Sequence, residues 1–120
     1  MILLVEDDPS VRVSIERFFR VEGYRLISAE SLDQALSVIG ESACPELLIT
    51  DYHLPGGKTG RDVIDAVRTV MGHAFPAIML SGDTSSDVAV SSNDQRVRFA
   101  SKPVDPDSLV CLVQELLTGA

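Results

Sequence analysis

Five short apolar runs, each followed by a stretch that can be helical, constrain the fold of this chain more than any other feature. The runs cover residues 2–5, 25–29, 47–50, 77–80 and 97–100. Short, nearly continuous apolar runs between helices predict strands covered on both faces of a parallel sheet. Between them, apolar residues recur at helical spacing: Val11, Ile15, Phe18 and Phe19; Leu32, Ala35, Leu36 and Ile39; Val63, Ile64, Val67 and Met71; Leu109, Leu112, Val113 and Leu116. Such stripes read as core rather than as cofactor boxes. The stretch 84–93 is the weak one: it is rich in Ser and Asp, has only Val88, Ala89 and Val90 to bury, and is expected to be short or mobile.

The helix ends carry their own signals. Asp8-Pro9 and Asp105-Pro106 each place an N-cap acid before a proline at the first helical position. Ser31 with Gln34 forms a capping box, Thr59 can cap the third helix, and Gly23, Gly40, Gly72 and Gly119 stand where helices should stop. The resulting (βα)5 order predicts a doubly wound sheet, in which the functional crevice lies outside the carboxyl ends of the strands.

Composition narrows what that crevice serves. At 120 residues the chain is long enough for one domain with a real core, and 45% apolar residues make it globular. Ten basic against eighteen acidic residues leave a formal charge of −8, which argues against binding a nucleic-acid backbone. No apolar stretch approaches the roughly 20 residues of a membrane span. The opening run lacks a basic lead and is stopped by three acids, so it is not a signal peptide. Cys44 and Cys111 form no metal or redox spacing and read as packing or incidental thiols, which suits a soluble, reducing, cytoplasmic setting. Met1 stands directly before the first strand, as expected of either a domain cut from a longer chain or a naturally short start.

The strand ends carry chemistry. The first run ends in Glu6-Asp7-Asp8, the third in Asp51, the fourth in Ser81-Gly82-Asp83 and the fifth in Lys102-Pro103. Carboxylates gathered at one rim repel unless a cation relieves them. Hard oxygen ligands suit Mg²⁺, which favours one or two carboxylates plus a phosphate oxygen. Taken singly, each piece has a bland account: helix-start acids, a turn residue, a helix cap, a solvated lysine. Four strand ends each bearing a needed group point together to a Mg²⁺ site awaiting a phosphoryl group.

The motifs "ILLVEDDPSVR", "LLITDYHLPGGKTG", "AIMLSGD" and "FASKPVDPDSL" follow in this order, and with them the chain resembles the receiver (phosphoacceptor) domain of two-component response regulators and hybrid histidine kinases. The resemblance spans essentially residues 1–120 as a single receiver domain and implies a flavodoxin-like α/β sandwich around a five-stranded parallel sheet. It implies that Asp51 is the aspartate phosphorylated by a partner histidine kinase or histidine phosphotransfer domain in a phosphorelay. Asp7 and Asp51 would bind Mg²⁺, with the backbone carbonyl of His53 as a further ligand and Glu6 acting through a water. Ser81 matches the switch hydroxyl, Lys102 the lysine that pairs with the phosphoryl group, and Phe99 the aromatic that turns with the switch. Pro103 would follow Lys102 through a cis peptide. The implied cycle is nucleophilic attack by Asp51 on phosphohistidine, repacking of an output face, and hydrolysis by water as the reset. The domain would be regulatory rather than an enzyme, with no direct nucleic-acid or membrane contact and with a homodimer open to it.

Departures from the pattern mark where the analogy thins. The loop after Asp51 is one residue longer than the commonest spacing; together with the abrupt start, this favours origin from a hybrid sensor kinase. Phe99 lacks the hydroxyl of a tyrosine. The Ser/Asp-rich 84–93 stretch gives no basis for carrying over a dimer or partner mode. Both His53 and His73 read as surface or satisfied side chains.

Three rival functions compete with this one. The Gly57-Lys58-Thr59 tail resembles a P-loop, but the required earlier glycine is Tyr52, and Lys58 reads as a solvated rim charge. An aspartyl-phosphate phosphatase would want an acid two residues after the nucleophile, where His53 stands, and would want a cap domain. A binding-only module of the same fold needs none of Asp7, Asp51, Ser81 and Lys102.

Overall fold

The apolar runs and helical stripes assemble in alternating order: β1 (Ile2–Val5), α1 (Pro9–Val21), β2 (Leu26–Ala29), α2 (Leu32–Glu41), β3 (Leu47–Asp51), α3 (Gly60–Met71), β4 (Ala77–Ser81), β5 (Val97–Ser101) and α4 (Pro106–Leu117). The computed structural model describes residues 1–41, 45–72, 74–81, 96–102 and 105–118. Cys44, His73, Gly82, Asp83, the stretch 84–93, Pro103 and Gly119 lie outside the described residues, and so do the expectations attached to them.

All neighbouring strands are parallel, in the order β2-β1-β3-β4-β5. The chain therefore starts inside the sheet, moves to one edge, and returns across β1 to build the other half. The direction of winding reverses between β1 and β3, where a doubly wound sheet opens its crevice.

Because both faces are covered, alternate residues of each strand feed two cores. Leu3, Val5, Leu48, Ala77 and Met79 pack with Ala35 and Ile39 of α2 and Val63, Ile64 and Val67 of α3. Ile2, Leu4, Leu47, Ile49, Ile78 and Leu80 pack with Ile15 and Phe19 of α1 and Leu109, Val113 and Leu116 of α4. Each fully buried Leu, Ile or Phe contributes about 1.5–3 kcal/mol, so these two layers supply most of the drive to fold. The stripes read from the sequence face the sheet except at Leu36 of α2, which is in neither core, while Val38 packs there instead. Cys111 lies outside both cores and is exposed, an incidental thiol.

The helix ends follow the sequence signals with three differences. Asp8 caps α1 by accepting from the Ser10 amide at 2.9 Å, with Pro9 at the first position. Thr59 and Asp62 form a complete capping box at the start of α3. Asp105 holds the N-cap position of α4, but its carboxylate accepts from the Ser108 hydroxyl at 2.9 Å and takes no backbone amide. At α2, the Gln34 amide donates to Ser31 Oγ at 3.2 Å, while its side-chain oxygen accepts from the Glu30 amide rather than from Ser31. Gly40 does not stop α2, which runs on to Glu41.

Three strands extend one residue beyond the apolar runs, so β3, β4 and β5 end in Asp51, Ser81 and Ser101.

Candidate functional site

The strand register assembles the site. Val5 pairs with Thr50, so the next residues along β1 and β3 are Glu6 and Asp51. Side-chain alternation gives both the parity of Ile2 and Leu4, on the α1 and α4 side of the sheet. Carboxylate oxygens of Glu6, Asp7 and Asp51 lie within 4.8 Å of one another. Glu6 is wholly buried and Asp51 is 7% exposed, whereas Asp7 faces solvent. Such hard oxygen donors, one open to water, fit a divalent cation such as Mg²⁺.

Lys102 enters from the far side. It follows β5, two strand spacings (about 10 Å) from β3. Its amide donates to the Ser81 carbonyl at 2.9 Å, which fixes where the side chain starts. The arm then crosses the end of β4, and Nζ reaches Asp51 Oδ2 at 3.0 Å and Glu6 Oε1 at 3.1 Å. One ammonium thus serves two carboxylates of the cluster.

The electrostatics follow from burial and this sharing. Burial pushes Glu6 up to about 7; the Asp8 amide opposes the rise, the charge of Asp51 adds to it, and Lys102 works against it. Burial alone would lower Lys102, but its hydrogen bonds to Asp51 and Glu6 and their charges outweigh it and hold the ammonium above its ordinary range. The cluster is therefore short of positive charge, and Glu6 carries the cost.

The loop after Asp51 turns back on itself before α3. A 3₁₀ turn at Pro55–Gly57 puts Gly56 and Gly57 at φ of 74° and 75°, a left-handed region glycine adopts readily. The chain then returns through a bridge between His53 and Thr59 to start α3. A Cβ at Gly60 would lie 2.7 Å from the Asp51 carbonyl oxygen, so α3 can begin this close to β3 only with glycine there. Lys58 is exposed, as expected of a rim charge.

The remaining expected site residues fall into three groups. Ser81 ends β4, 2% exposed, between the strands that carry Asp51 and Lys102. His53 lies just past β3, exposed, its ring edge-on to Tyr52 at a centroid distance of 4.8 Å. Phe99 is half-buried in β5 and packs against the core shared by α2 and α3, away from the carboxylates. Beside Lys102, α1 and α4 leave a cleft of about 300 Å³. Apart from Lys102, Ser10 and Ser14 its lining is apolar, so it offers little to phosphoryl chemistry.

One participant has almost no sequence signature. Arg12 of α1 donates through NH1 to the Glu6 carbonyl at 3.1 Å and pairs through NH2 with Glu30 Oε1 at 3.3 Å. Its only sequence signal is a position inside "VEDDPSVR", and a contact to a backbone carbonyl leaves no trace in residue types.

An α/β domain wound both ways, with an acidic cluster and a lysine at its switch point, defines a class of phosphate-handling domains. The sequence matches the response regulator receiver domain family over residues 2–114, and the chain belongs to that family. It is 33% identical over 120 residues to an uncharacterized 14.6 kDa protein of Leptolyngbya boryana, covering 95% of this chain and 87% of that one. It is 27% identical over 124 residues to the phosphate regulon transcriptional regulatory protein PhoB of Escherichia coli, covering 97% of this chain but only 51% of PhoB. The chain thus spans about half the length of that regulator. Among solved structures, the receiver domain of the hybrid histidine kinase CckA is similar with a TM-score of 0.79 and 29% identity, over 97% of each chain. As a receiver domain the chain is a phosphoacceptor signalling switch, a regulatory domain and not an enzyme. Receiver domains bind Mg²⁺ at an acidic pocket and interact with histidine kinases or phosphotransfer proteins. Among the described residues no helix is long and apolar enough to cross a membrane.

Proposed function

We propose that Asp51 is the phosphoacceptor and that residues 1–120 act as one receiver domain. The observation that carries this reading is a nine-tenths buried carboxylate at the β1/β3 switch point, 3.0 Å from Lys102 Nζ and clustered with two further carboxylates. Asp7, Asp51 and the His53 carbonyl would hold Mg²⁺, with Glu6 acting through a water. Bound there, Mg²⁺ would supply positive charge against the oxygens of the transferring phosphoryl group.

The chain's own residues do the rest. An Asp51 carboxylate oxygen attacks the phosphorus of a phosphohistidine; the P–N bond breaks, and its electron pair leaves with the imidazole, which takes up a proton. Lys102, already beside Asp51, pairs with the phosphoryl oxygens. Burial of Asp51 limits access of competing water, and slow hydrolysis resets the switch. The acyl phosphate brings added charge and new acceptors to one spot. Ser81 donates to it, and Phe99 repacks in response, altering the surface near β5. The donor is a histidine kinase or a histidine phosphotransfer domain. A hybrid sensor kinase as parent chain is supported by the lengthened loop and by likeness to the CckA receiver. The charge of −8 supports a role without direct nucleic-acid contact, and two cysteines with no metal or redox spacing suit a cytoplasmic setting.

Incubation with phosphoramidate and Mg²⁺, followed by intact-mass measurement, tests the reading. A single phosphoryl adduct is expected for the wild-type protein, with none for Asp51→Ala or in the presence of a chelator. An adduct that survives in Asp51→Ala would overturn the assignment.

A further inference from the structure

Asp7 is exposed, and its carboxylate has no hydrogen-bond partner among the described residues. Nothing in the side chain's own contacts holds it where a cation would need it. Its two flanking peptide groups, by contrast, are both held. The peptide before Asp7 is gripped at the Glu6 carbonyl by Arg12 NH1 at 3.1 Å, and the peptide after it at the Asp8 amide by Glu6 Oε2 at 3.2 Å. The Glu6 amide in turn donates to the Ala29 carbonyl at 3.0 Å, tying the strand end to β2.

Arg12 suits this task. Its guanidinium is planar and presents several donors in a fixed fork, so one end can hold a carbonyl while the other is held. The other end meets Glu30 just beyond β2, 3.3 Å away, and the Arg12 side chain is only 17% exposed. Glu30 is 62% exposed, so the pair itself adds little stability, but it fixes the direction of the fork.

We infer that Arg12, clamped between the Glu6 carbonyl and Glu30, is a positioning residue that presets Asp7 for the divalent cation. This deepens the proposed function and rests on its assignment of a metal site at Glu6, Asp7 and Asp51. The clamp and simple electrostatics make opposite predictions. Arg12 is a cation beside a cation site, so charge alone says that removing it tightens Mg²⁺ binding. If its main action is to hold the Glu6–Asp7 peptide, removing it weakens binding instead, because a loosened ligand must be reordered at each binding event.

The experiment is a titration of the metal-free full chain with Mg²⁺ alone, followed by amide NMR shifts, for the wild-type protein and for Arg12→Gln, Arg12→Lys and Glu30→Gln. Arg12→Gln is expected to weaken Mg²⁺ binding about tenfold, the lower end of effects seen for residues that orient metal ligands. Arg12→Lys keeps the charge but loses the fork and should fall between Arg12→Gln and the wild-type protein. Glu30→Gln should give the smallest loss. A residue that merely supports the fold would lower the metal-free melting temperature and leave the dissociation constant of the folded protein unchanged; that result, or tighter binding by Arg12→Gln, overturns the inference. Should Arg12→Gln not fold, Arg12→Lys decides by the same criterion. Absence of Mg²⁺ binding by the wild-type protein would instead remove the metal site itself, and this inference with it.

Discussion

At the amino end of the strands, arginines meet neutral carbonyls; at the carboxyl end, one lysine meets a cluster of carboxylates. Arg68, 9% exposed on α3, donates to the Phe75 carbonyl at 3.1 Å. Arg96 donates to the Ala74 carbonyl at 3.2 Å and to the Leu116 carbonyl at 3.4 Å. These contacts join α3, the start of β4 and the end of α4 into one seam. Backbone carbonyls do not titrate near neutral pH, so these contacts do not depend on the protonation of their acceptors. The other end is different in kind. Lys102 is divided between Glu6 and Asp51, while Asp7 stands beside them, which leaves negative charge in excess. Such a site suits the divalent cation and the phosphoryl group proposed for it, and the raised Glu6 makes it sensitive to protons. The sheet separates a fixed end from a responsive one.

Breaking the fixed end should have the largest effect on stability. Arg68→Ala removes a charge-assisted hydrogen bond and leaves the Phe75 carbonyl short of a donor, an expected loss of about 2–3 kcal/mol in denaturant unfolding. Phosphoryl uptake per folded molecule should not change. If Arg68→Ala alters uptake while stability holds, the division between the two ends fails.

Titrating the responsive end should come next. The folded-state value of Glu6, about 7, lies above its ordinary value of 4.5. Between these two values the folded protein holds a proton that the unfolded chain has released. Stability from this group is therefore greatest at the acidic end of the window and falls as pH rises toward the folded value. Without metal, the wild-type protein should lose about 2 kcal/mol relative to Glu6→Gln across that window. Melting both proteins at a series of pH values without Mg²⁺ checks the sign. A difference that is flat, or that grows the other way, would show that burial does not strain Glu6.

The smallest effect belongs to the seam between the rim and its scaffold. Thr59 donates its amide to Asp62 Oδ2 at 2.8 Å and accepts the Asp62 amide at 3.3 Å. Thr59→Ala should cost about 1 kcal/mol, the ordinary value of a lost N-cap. Asp51 should remain phosphorylatable, since β3 and Gly60 still set its backbone. A drop in uptake by folded Thr59→Ala would place the loop within the site rather than beside it.

Much of the architecture and of the site is legible in the amino-acid sequence. Strand runs between helical stripes are a one-dimensional signal, because burial on both faces demands apolar residues at most positions of the central strands. The grouping of Glu6, Asp7, Asp51, Ser81 and Lys102 is legible because a parallel sheet puts all strand ends on one rim. Boundaries are less legible where a local stop signal is overrun by a residue, as with Gly40 inside α2, or where a side chain has two partners within reach, as with Asp105 and Gln34.

The amino-acid sequence by itself determined the order of elements, the two-layered cover of the sheet, and which chemical groups stand at the strand ends. Only the tertiary structure decided that Lys102 spans two strands to serve both Asp51 and Glu6, that burial raises Glu6, and that Arg12 ties the β1 end to Glu30. The physical reason is range. Periodicity and capping are set by neighbours a few residues apart, whereas Lys102 and Glu6 stand 96 residues apart in the chain and meet at 3.1 Å only once β1, β3, β4 and β5 are in register.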